Sequence, residues 1–231
     1  MKKIDIIILS NTADQNYHNL LGITVNSIKE QTDIESNIIL VETNKDYKTK
    51  EQYNLPIDVL VVPDEPFHFN RFLNHGLEHS SADYICCSNN DVRYFPHSFY
   101  HLIEALQTYD SVSPYAEGYS NGLSDSEITE CDHLNKCFFG FCYCFTRKTM
   151  NECFSGKFDE TFAFWLQDND IIYTLRDKGA KHALVGPAKA EHLDNKGSKG
   201  KGANSYKLFG KDVNKYTWGQ QQLMRKKWKI R

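Results

Sequence analysis

The sequence has no long hydrophobic run. Among its 231 residues, the longest uncharged apolar stretches are Ile6–Leu9 and Phe138–Phe145. Neither approaches the roughly 20 apolar residues that a helix needs to cross a bilayer. The N-terminus also lacks the pattern of a secretory signal peptide, because Asp5 lies inside the would-be apolar region and no small-residue cleavage site follows. We therefore predict neither a membrane span nor Sec-type secretion.

Proline and glycine are scarce, with 6 and 13 residues. These numbers are far below those of disordered or collagen-like chains. With 40% hydrophobic residues, a chain of this length can bury the core of one large domain or of two small ones.

Cysteine is present in an odd number, seven. A secreted protein would keep one thiol unpaired, so the number favours a reducing compartment, and we predict a cytoplasmic protein. Cys131, Cys137, Cys142 and Cys144 lack the paired Cys-x-x-Cys spacing of structural zinc sites. Cys142 and Cys144 also lie in an aromatic, strand-like run, where cysteine packs as a small hydrophobic residue. We expect no zinc site.

The charges are distributed unevenly. The net charge is −3, but residues 196–231 carry eleven Lys or Arg and one acid, which makes +10 for this segment and −13 for residues 1–195. The Gly-, Lys- and Ser-rich stretch 196–202 resembles a linker. A basic tail on an acidic body favours contact with something anionic, and the candidates are a phosphate-bearing ligand, a membrane, nucleic acid or the body itself.

Runs that are typical of buried strands alternate with segments of helical periodicity. We predict strands over 4–9, 37–41, 58–62, 83–87, 112–115, 138–145 and 183–185. Helices are predicted over 14–30, 69–79, 96–106 and 168–178, with a short one from 147. This alternation indicates an α/β fold with a mostly parallel central sheet flanked by helices.

Polar residues follow the predicted strands. They are Ser10, Asn11, Glu42, Asn90 and Asp91. Ligands of such sheets bind outside the carboxyl ends of the strands, and a carboxylate there can hold Mg²⁺ or Mn²⁺ together with diphosphate oxygens. The alternative is an ordinary loop start, because Asn-Asn-Asp is also good turn chemistry.

A second candidate element is Trp165–Asp170, where aromatic residues lead into two acids at a helix start. Asp168 beside apolar rings can acquire the raised basicity of a general base. The alternative is that Asp168 or Asn169 only caps the helix. His192 is an isolated histidine, which is structural unless it has partners at a metal.

These elements, in this order and spacing, resemble family 2 glycosyltransferases of the GT-A fold over roughly residues 3–230. The carrying motifs are the strand ends at Ser10-Asn11, Glu42 and Asn89-Asn90-Asp91, with Asn74-His75-Gly76, Phe139-Gly140-Phe141, Arg147-Lys148, Gly156–Glu160, Gln167–Asp170, Leu175–Gly179 and Pro187…His192. The tail, with Tyr206–Phe209 and Lys227-Trp228, resembles the region after the family's histidine.

The resemblance implies one GT-A (Rossmann-like) domain over 1–195, with a nucleotide-sugar half at about 1–92 and an acceptor half at about 93–195. Residues 196–231 would form a basic loop and helix on or beside the active site. The implied reaction moves a sugar, with inversion, from a nucleotide-diphosphate donor to an acceptor hydroxyl.

The same resemblance assigns roles to residues. Asp91 would hold Mn²⁺ or Mg²⁺ on the diphosphate, and His192 would approach the metal from the other side. Asp168 would accept the proton of the acceptor hydroxyl. The implied nucleotide-sugar-binding residues are Ser10, Asn11, Glu42, Asn74, Asn90 and Gln167.

Three positions depart from the family pattern. The metal-binding element is Asn-Asn-Asp, with one carboxylate, so the metal affinity is expected to be modest. Gln167 replaces the acid that usually precedes the catalytic aspartate, which lowers the expected basicity of Asp168. Glu42 replaces a commoner Asp and reaches further, which alters the expected nucleotide preference.

The sequence does not identify the acceptor. The resemblance favours a glycan or a lipid-linked sugar, whereas the basic tail keeps an anionic acceptor in view, such as the hydroxylated bases of DNA in phage DNA-modifying glycosyltransferases. Lys196–Lys201 is expected to cover the donor diphosphate, and Arg225–Arg231 has no assigned partner. A nucleotide-sugar-binding module without turnover is the alternative from another class.

Overall fold

A computed structural model describes residues 1–120, 122–131, 137–193 and 213–230. The strands there are β1 (Lys2–Ser10), β2 (Ile34–Glu42), β3 (Val59–Val61), β4 (Tyr84–Asn89), β5 (Val92–Tyr94), β6 (Ser111–Ala116), β7 (Ile128–Glu130), β8 (Cys142–Thr146) and β9 (His182–His192). The helices are α1 (Gln15–Lys29), α2 (Phe69–Glu78), α3 (Ser98–Ala105), α4 (Arg147–Phe154), α5 (Gln167–Asp177) and α6 (Val213–Trp228), with a 3₁₀ turn at Lys50–Gln52.

The strands form one sheet in the order β3-β2-β1-β4-β8-β6-β9-β5, and β7 pairs with β9. Strands β3, β2, β1 and β4 are parallel, as are β6 and β9, whereas β8 runs antiparallel to both of its neighbours. The sheet flanked by helices is confirmed. The parallel pairing dominates its N-terminal half, and the C-terminal half is mixed because β8, β5 and β7 enter in the opposite direction.

Both faces of β1 are buried, which explains its continuous apolar run. Ile6 and Ile8 pack with Leu21, Val25 and Ile28 of α1. Ile7, on the opposite face, packs with Phe72, Leu73 and Leu77 of α2. This alternation of faces follows the period of two in a strand, and it holds the carboxyl end of β1 between two helices.

The C-terminal strands differ most from the sequence prediction. Strand β9 has eleven residues instead of the three predicted, because a register shift opposite Pro114 and Tyr115 carries the pairing past Gly186-Pro187. Strand β5 was not predicted, because its three residues, with the exposed Arg93 in the middle, are too few to show a hydrophobic periodicity. Strand β8 begins at Cys142 rather than at Phe138.

Six of the seven cysteines fall into two groups, and the seventh, Cys153, is a half-buried free thiol of α4. Cys86, Cys87, Cys142 and Cys144 are buried within β4 and β8, as expected for small hydrophobic residues. Cys131 and Cys137 are joined as a disulfide. The sequence analysis, which predicted a reducing compartment, did not predict this pair.

The C-terminal extension is described only in part. The predicted linker 196–202 and the segment Lys196–Lys201 lie outside the described residues, as does Tyr206–Phe209. Helix α6 follows and is described from Val213 onwards. Within the described part of the chain, no helix combines the length and the apolar composition of a bilayer span.

Candidate active site

A cleft lies where β1, β2 and β4 end. Its lining includes Ser10, Asn11 and Asn90, so the structure brings together three of the residues predicted to bind the nucleotide sugar. Asn90 Nδ2 donates a hydrogen bond of 3.1 Å to Ser10 Oγ, which joins the loops after β1 and β4. The cleft has a volume of about 210 Å³, and its other lining residues are Leu9, Thr43, Phe67, Phe69, Asn89 and Phe164.

Glu42 is fully buried behind this cleft and does not line it. Its Oε1 accepts hydrogen bonds from the backbone N–H groups of Thr12 (3.0 Å) and Asn44 (2.7 Å). Its Oε2 accepts from Thr12 Oγ1 (2.6 Å) and Tyr53 Oη (2.9 Å). Four donors within the chain use both oxygens, so Glu42 holds the loops after β1 and β2. Its contact with a nucleotide base stays a prediction.

Asn74 and Gln167 also lie outside the lining of this cleft. Asn74, on α2, accepts from Phe158 N (2.8 Å) and donates to Phe158 O and Glu160 Oε1 (3.0 Å each), so its amide ties α2 to the segment before α5. The predicted nucleotide-sugar role of Asn74 is therefore not supported by its position. Gln167 is the first residue of α5, and its Oε1 is buried without a hydrogen-bond partner among the described residues.

Asp91, which follows the cleft residue Asn90 in the chain, faces His192. They are 101 residues apart in sequence, and the antiparallel pairing of β5 with β9 places Val92 opposite His192. The distance from Asp91 Oδ1 to His192 Nε2 is 3.2 Å, and the two side chains are 14% and 19% exposed. The backbone N–H of Leu193 donates to Asp91 O (2.8 Å), which holds the two segments together.

This pair fits a divalent cation. Asp91 Oδ1 and His192 Nε2 are both buried, and neither has a hydrogen-bond partner in the described part of the chain. Buried polar atoms are normally paired, and a cation bound by both atoms, which contact each other as an ion pair, would satisfy this requirement. Adjacent ligands of an octahedral Mg²⁺ or Mn²⁺ lie about 3 Å apart, which matches the observed separation. The described residues offer no cluster of three or more His, Cys, Asp or Glu ligands, so other ligands must come from the substrate or water.

Tyr119 and Phe141 hold the His192 ring in place. Tyr119 Oη lies 2.7 Å from His192 Nδ1, and the Phe141 ring stacks on the imidazole at 4.7 Å with an angle of 9° between the planes. When Nδ1–H donates to the tyrosine oxygen, Nε2 carries the lone pair and points towards Asp91. An outer hydrogen bond of this kind selects the tautomer of a metal-binding histidine.

We expect Tyr119→Phe to weaken Mn²⁺ binding about 10- to 100-fold, the range seen when the outer partner of a metal-binding histidine is removed. The aromatic ring stays, so packing against Phe141 is retained. Titration of the free chain with Mn²⁺ by calorimetry measures the effect without turnover. Tyr100→Phe, at an exposed tyrosine of α3, is the matched control, and an equal loss in both variants would contradict the role of Tyr119.

Asp168 is the second residue of α5 and does not cap it. The N-cap is Leu166, in the left-handed region with a φ of 69°, so the alternative in which Asp168 or Asn169 caps the helix is wrong. Asp168 Oδ1 accepts from Asn169 N (2.9 Å), and burial raises the pKa of the carboxyl group, opposed by that hydrogen bond. A Cβ at Gly140 would lie 3.3 Å from Oδ2, so glycine keeps space beside the carboxylate.

Asp168 opens into a second cavity, of about 240 Å³. The cavity adjoins the first cleft, because Asn89 N donates to Phe141 O (2.9 Å). Its lining contains one carboxylate, one amide and several rings, and no Lys or Arg: Tyr119, Phe138, Phe139, Gly140, Phe141, Asp168 and Asn169. Such a lining suits a neutral, hydroxyl-bearing molecule better than an anionic one.

The second acid of the motif, Asp170, has a structural partner that the sequence analysis missed. Its oxygens accept from Lys227 Nζ and Trp228 Nε1, both at 2.7 Å, and Lys227 also contacts Asp159 at 3.0 Å. Burial raises the pKa of Asp170, and the hydrogen bonds to Lys227 and Trp228 oppose that effect. Asp170 thus anchors α6 to α5, and the adjacent cavity of about 580 Å³ is lined by Asp170 and not by Asp168.

Three aromatic residues of the first cleft were also missed by the sequence analysis. Phe67, Phe69 and Phe164 line it, and the Phe67 ring packs edge-on against the rings of Phe69 and Phe164. An aromatic wall can stack on a planar ring. In the sequence, these phenylalanines were indistinguishable from core residues.

Comparison with known proteins identifies the family and the fold. A family model described as glycosyl transferase family 2 matches residues 15–176, and no match is found among curated proteins. The fold is similar to the crystal structure of GalNAc-T7 with UDP, GalNAc and Mn²⁺, at 12% identity and a TM-score of 0.67 over 83% of this chain. This chain spans 43% of the length of that one. The chain belongs to glycosyltransferase family 2, and its domain has the GT-A fold.

Proposed function

We propose that the protein is a metal-dependent, inverting glycosyltransferase that moves a sugar from a nucleotide-diphosphate donor to a neutral acceptor hydroxyl. The observation that carries the proposal is the juxtaposition of two sites: the orphaned pair Asp91–His192 at the cleft and the Asp168 carboxylate in the adjoining cavity. One can bind the diphosphate end of a donor, and the other can activate an acceptor.

The donor end is supported by the cleft and by the structural neighbour. The cleft offers Ser10, Asn11 and Asn90 as polar contacts, and aromatic side chains as an apolar wall. GalNAc-T7, the neighbour, is described with UDP, GalNAc and Mn²⁺, which favours a nucleotide-sugar donor and a divalent cation here. Bound between Asp91 and His192, such a cation would offset the charge that develops on the leaving diphosphate.

Asp168 acts as the base in this proposal. Its carboxylate removes the proton of the acceptor hydroxyl, the oxygen forms a bond to the anomeric carbon, and the bond to the diphosphate oxygen breaks with its electron pair. Attack from the face opposite the leaving group inverts the anomeric configuration. The raised pKa of Asp168 makes its carboxylate a better proton acceptor than an exposed aspartate.

The acceptor cavity favours a glycan over DNA. Aromatic rings beside a carboxylate and an amide are suited to the apolar faces and hydroxyl groups of a sugar. The lining of this cavity contains no cation that would hold a phosphate close to the reacting hydroxyl. A binding module without turnover is disfavoured, because a protein that only holds a nucleotide sugar does not require the buried carboxylate of Asp168.

The test is a thermal-shift screen of nucleotide diphosphates and nucleotide sugars, each with and without Mn²⁺. A ligand at about 100 times its Kd adds about 2.7 kcal/mol to the free energy of unfolding. For a chain of this size, that corresponds to a rise in Tm of roughly 5–10 °C. We expect one nucleotide to give a Mn²⁺-dependent rise that Asp91→Ala abolishes. If no nucleotide raises the Tm, the proposal is contradicted.

A further inference from the structure

The disulfide between Cys131 and Cys137 is held on both sides by His182, the first residue of β9. Cys131 N donates to the backbone oxygen of His182 (2.9 Å), and His182 Nε2 lies 3.0 Å from Cys137 O. Burial lowers the pKa of His182 to about 4, so the ring is neutral at neutral pH and has one N–H. A carbonyl oxygen can only accept, so Nε2 donates to Cys137 O and Nδ1 accepts from Ser111 Oγ. The disulfide and His182 together tie Cys137 to the start of β9.

Cys137 is followed directly by the wall of the proposed acceptor cavity. Phe138 and Phe139 both line that cavity. The Phe138 ring lies 5.1 Å from the His182 ring, and Phe139 O accepts from Cys142 N (3.0 Å). A restraint on Cys137 is therefore also a restraint on the two aromatic residues that follow it.

Cys131 is the accessible half of the disulfide. It is half-buried, whereas Cys137 is fully buried. Cys131 lines a surface pocket of about 300 Å³ together with the exposed cations Arg176 and Lys181. The one acid of the lining, Glu130, pairs with Lys181 (3.3 Å), and Arg176 forms no ion pair with a described residue. Positive, partly exposed surroundings stabilise a thiolate and are typical of cysteines that exchange disulfides.

The fold does not depend on this bridge. The other five cysteines are free thiols, and apolar clusters already cover both faces of the sheet. The bridged residues are only six apart, and closing a short loop restricts the unfolded chain less than closing a long one. We therefore expect that breaking the disulfide loosens the adjoining segment and leaves the sheet folded.

We propose that Cys131–Cys137 is a redox-active site, at which a dithiol reductant opens the disulfide and thereby releases the wall formed by Phe138 and Phe139. A thiolate of the reductant attacks Cys131 Sγ, and Cys137 leaves as a thiolate that takes up a proton. The second thiol of the reductant then attacks the mixed disulfide and displaces Cys131. Two electrons and two protons pass to the chain, and the reductant leaves as a disulfide.

Reduction would change the acceptor side of the protein and leave the donor side as it is. Neither cysteine lines the cleft with Ser10, Asn11 and Asn90. The consequence for the acceptor rests on the proposed function, whereas the exchange reaction and the release of the wall do not. Both can be measured on the chain without nucleotide or acceptor.

The experiment combines thiol counting with hydrogen exchange on the full chain. Alkylation by iodoacetamide in denaturant, followed by intact mass measurement, should label five cysteines of the untreated chain. It should label all seven when the native chain is first incubated with dithiothreitol, which is removed before denaturation. In the reduced native chain, the amide protons of Phe139 and Cys142 should exchange at least about 10-fold faster, because local opening becomes easier. Exchange within β1 should not change.

Cys131→Ser should reproduce the reduced state, with fast exchange at Phe139 and Cys142 whether or not dithiothreitol is present. The matched control is Cys153→Ser, which removes the half-buried free thiol of α4 and should respond to dithiothreitol as the wild type does. Seven labelled cysteines in the untreated chain would overturn the proposal. So would a disulfide that dithiothreitol reduces only after unfolding, or a reduction that leaves exchange at Phe139 and Cys142 unchanged.

Discussion

Asp168→Asn is expected to reduce kcat by about 10³-fold, within the 10²- to 10⁴-fold range of general base catalysis. The amide has nearly the shape of the carboxylate, and its Oδ1 can still accept from Asn169 N, as Asp168 does. It cannot take a proton from an acceptor hydroxyl. We therefore expect donor binding, measured by thermal shift, to change by less than about twofold while turnover is lost.

The pH dependence of the rate tests the role of Asp168 as the base in a second way. Because burial raises the pKa of Asp168, the carboxylate forms only as the pH rises through a value above that of an exposed aspartate. The wild-type rate should therefore fall on acidification at a higher pH than an ordinary aspartate would predict, and the residual activity of Asp168→Asn should not show this step.

Asp177→Asn is the matched control, since Asp177 is exposed at the far end of the same helix. It makes the same chemical change on α5 without touching the cavity, and its kcat and Tm should equal those of the wild type. Full activity in Asp168→Asn would show that another group takes the proton.

Asp91→Ala is expected to abolish the Mn²⁺-dependent part of nucleotide binding. The substitution leaves His192 Nε2 as the one orphaned atom of the pair. Loss of an outer partner already costs 10- to 100-fold in metal affinity, so loss of the carboxylate of this pair should cost at least about 100-fold. Calorimetric titration of the chain with Mn²⁺ measures this directly, and kcat/KM with a nucleotide sugar should fall by a similar factor.

Asp64→Ala serves as the control for this prediction. Asp64 is almost fully exposed and pairs with Lys45, so its removal should leave both the stability and Mn²⁺ binding nearly unchanged. Unchanged Mn²⁺ affinity in Asp91→Ala would mean that the cation, if bound, is held elsewhere.

Much of the N-terminal half could be predicted from the sequence because its signals are local. Strand β1 is buried on both faces and therefore reads as a continuous apolar run, and α1 follows with helical periodicity and the N-cap Asp14. The carboxyl ends of β1 and β4 then necessarily lie at one edge of a parallel sheet. This brought Ser10, Asn11 and Asn90 into one cleft without knowledge of the tertiary structure.

The C-terminal half was harder to predict because its strands are defined by their partners. Strand β5 exists through its pairing with β9, and β9 continues past a Gly-Pro step that ordinarily ends a strand. Hydrogen bonds between segments that are about 100 residues apart leave no periodicity in either segment. The antiparallel direction of β8 is likewise a property of the sheet and not of its sequence.

The sequence by itself determined the alternating α/β architecture and the family resemblance, and through that resemblance it predicted roles for Asp91, Asp168 and His192. Composition, periodicity and motif order are local or sequential properties, so they can be analysed without coordinates. The tertiary structure alone decided which polar groups are already satisfied. It uses both oxygens of Glu42 and the amide of Asn74 internally. In contrast, Asp91 Oδ1 and His192 Nε2 face each other at 3.2 Å, and neither has a hydrogen-bond partner among the described residues. Hydrogen-bond saturation depends on contacts between distant segments, so no sequence pattern can report it.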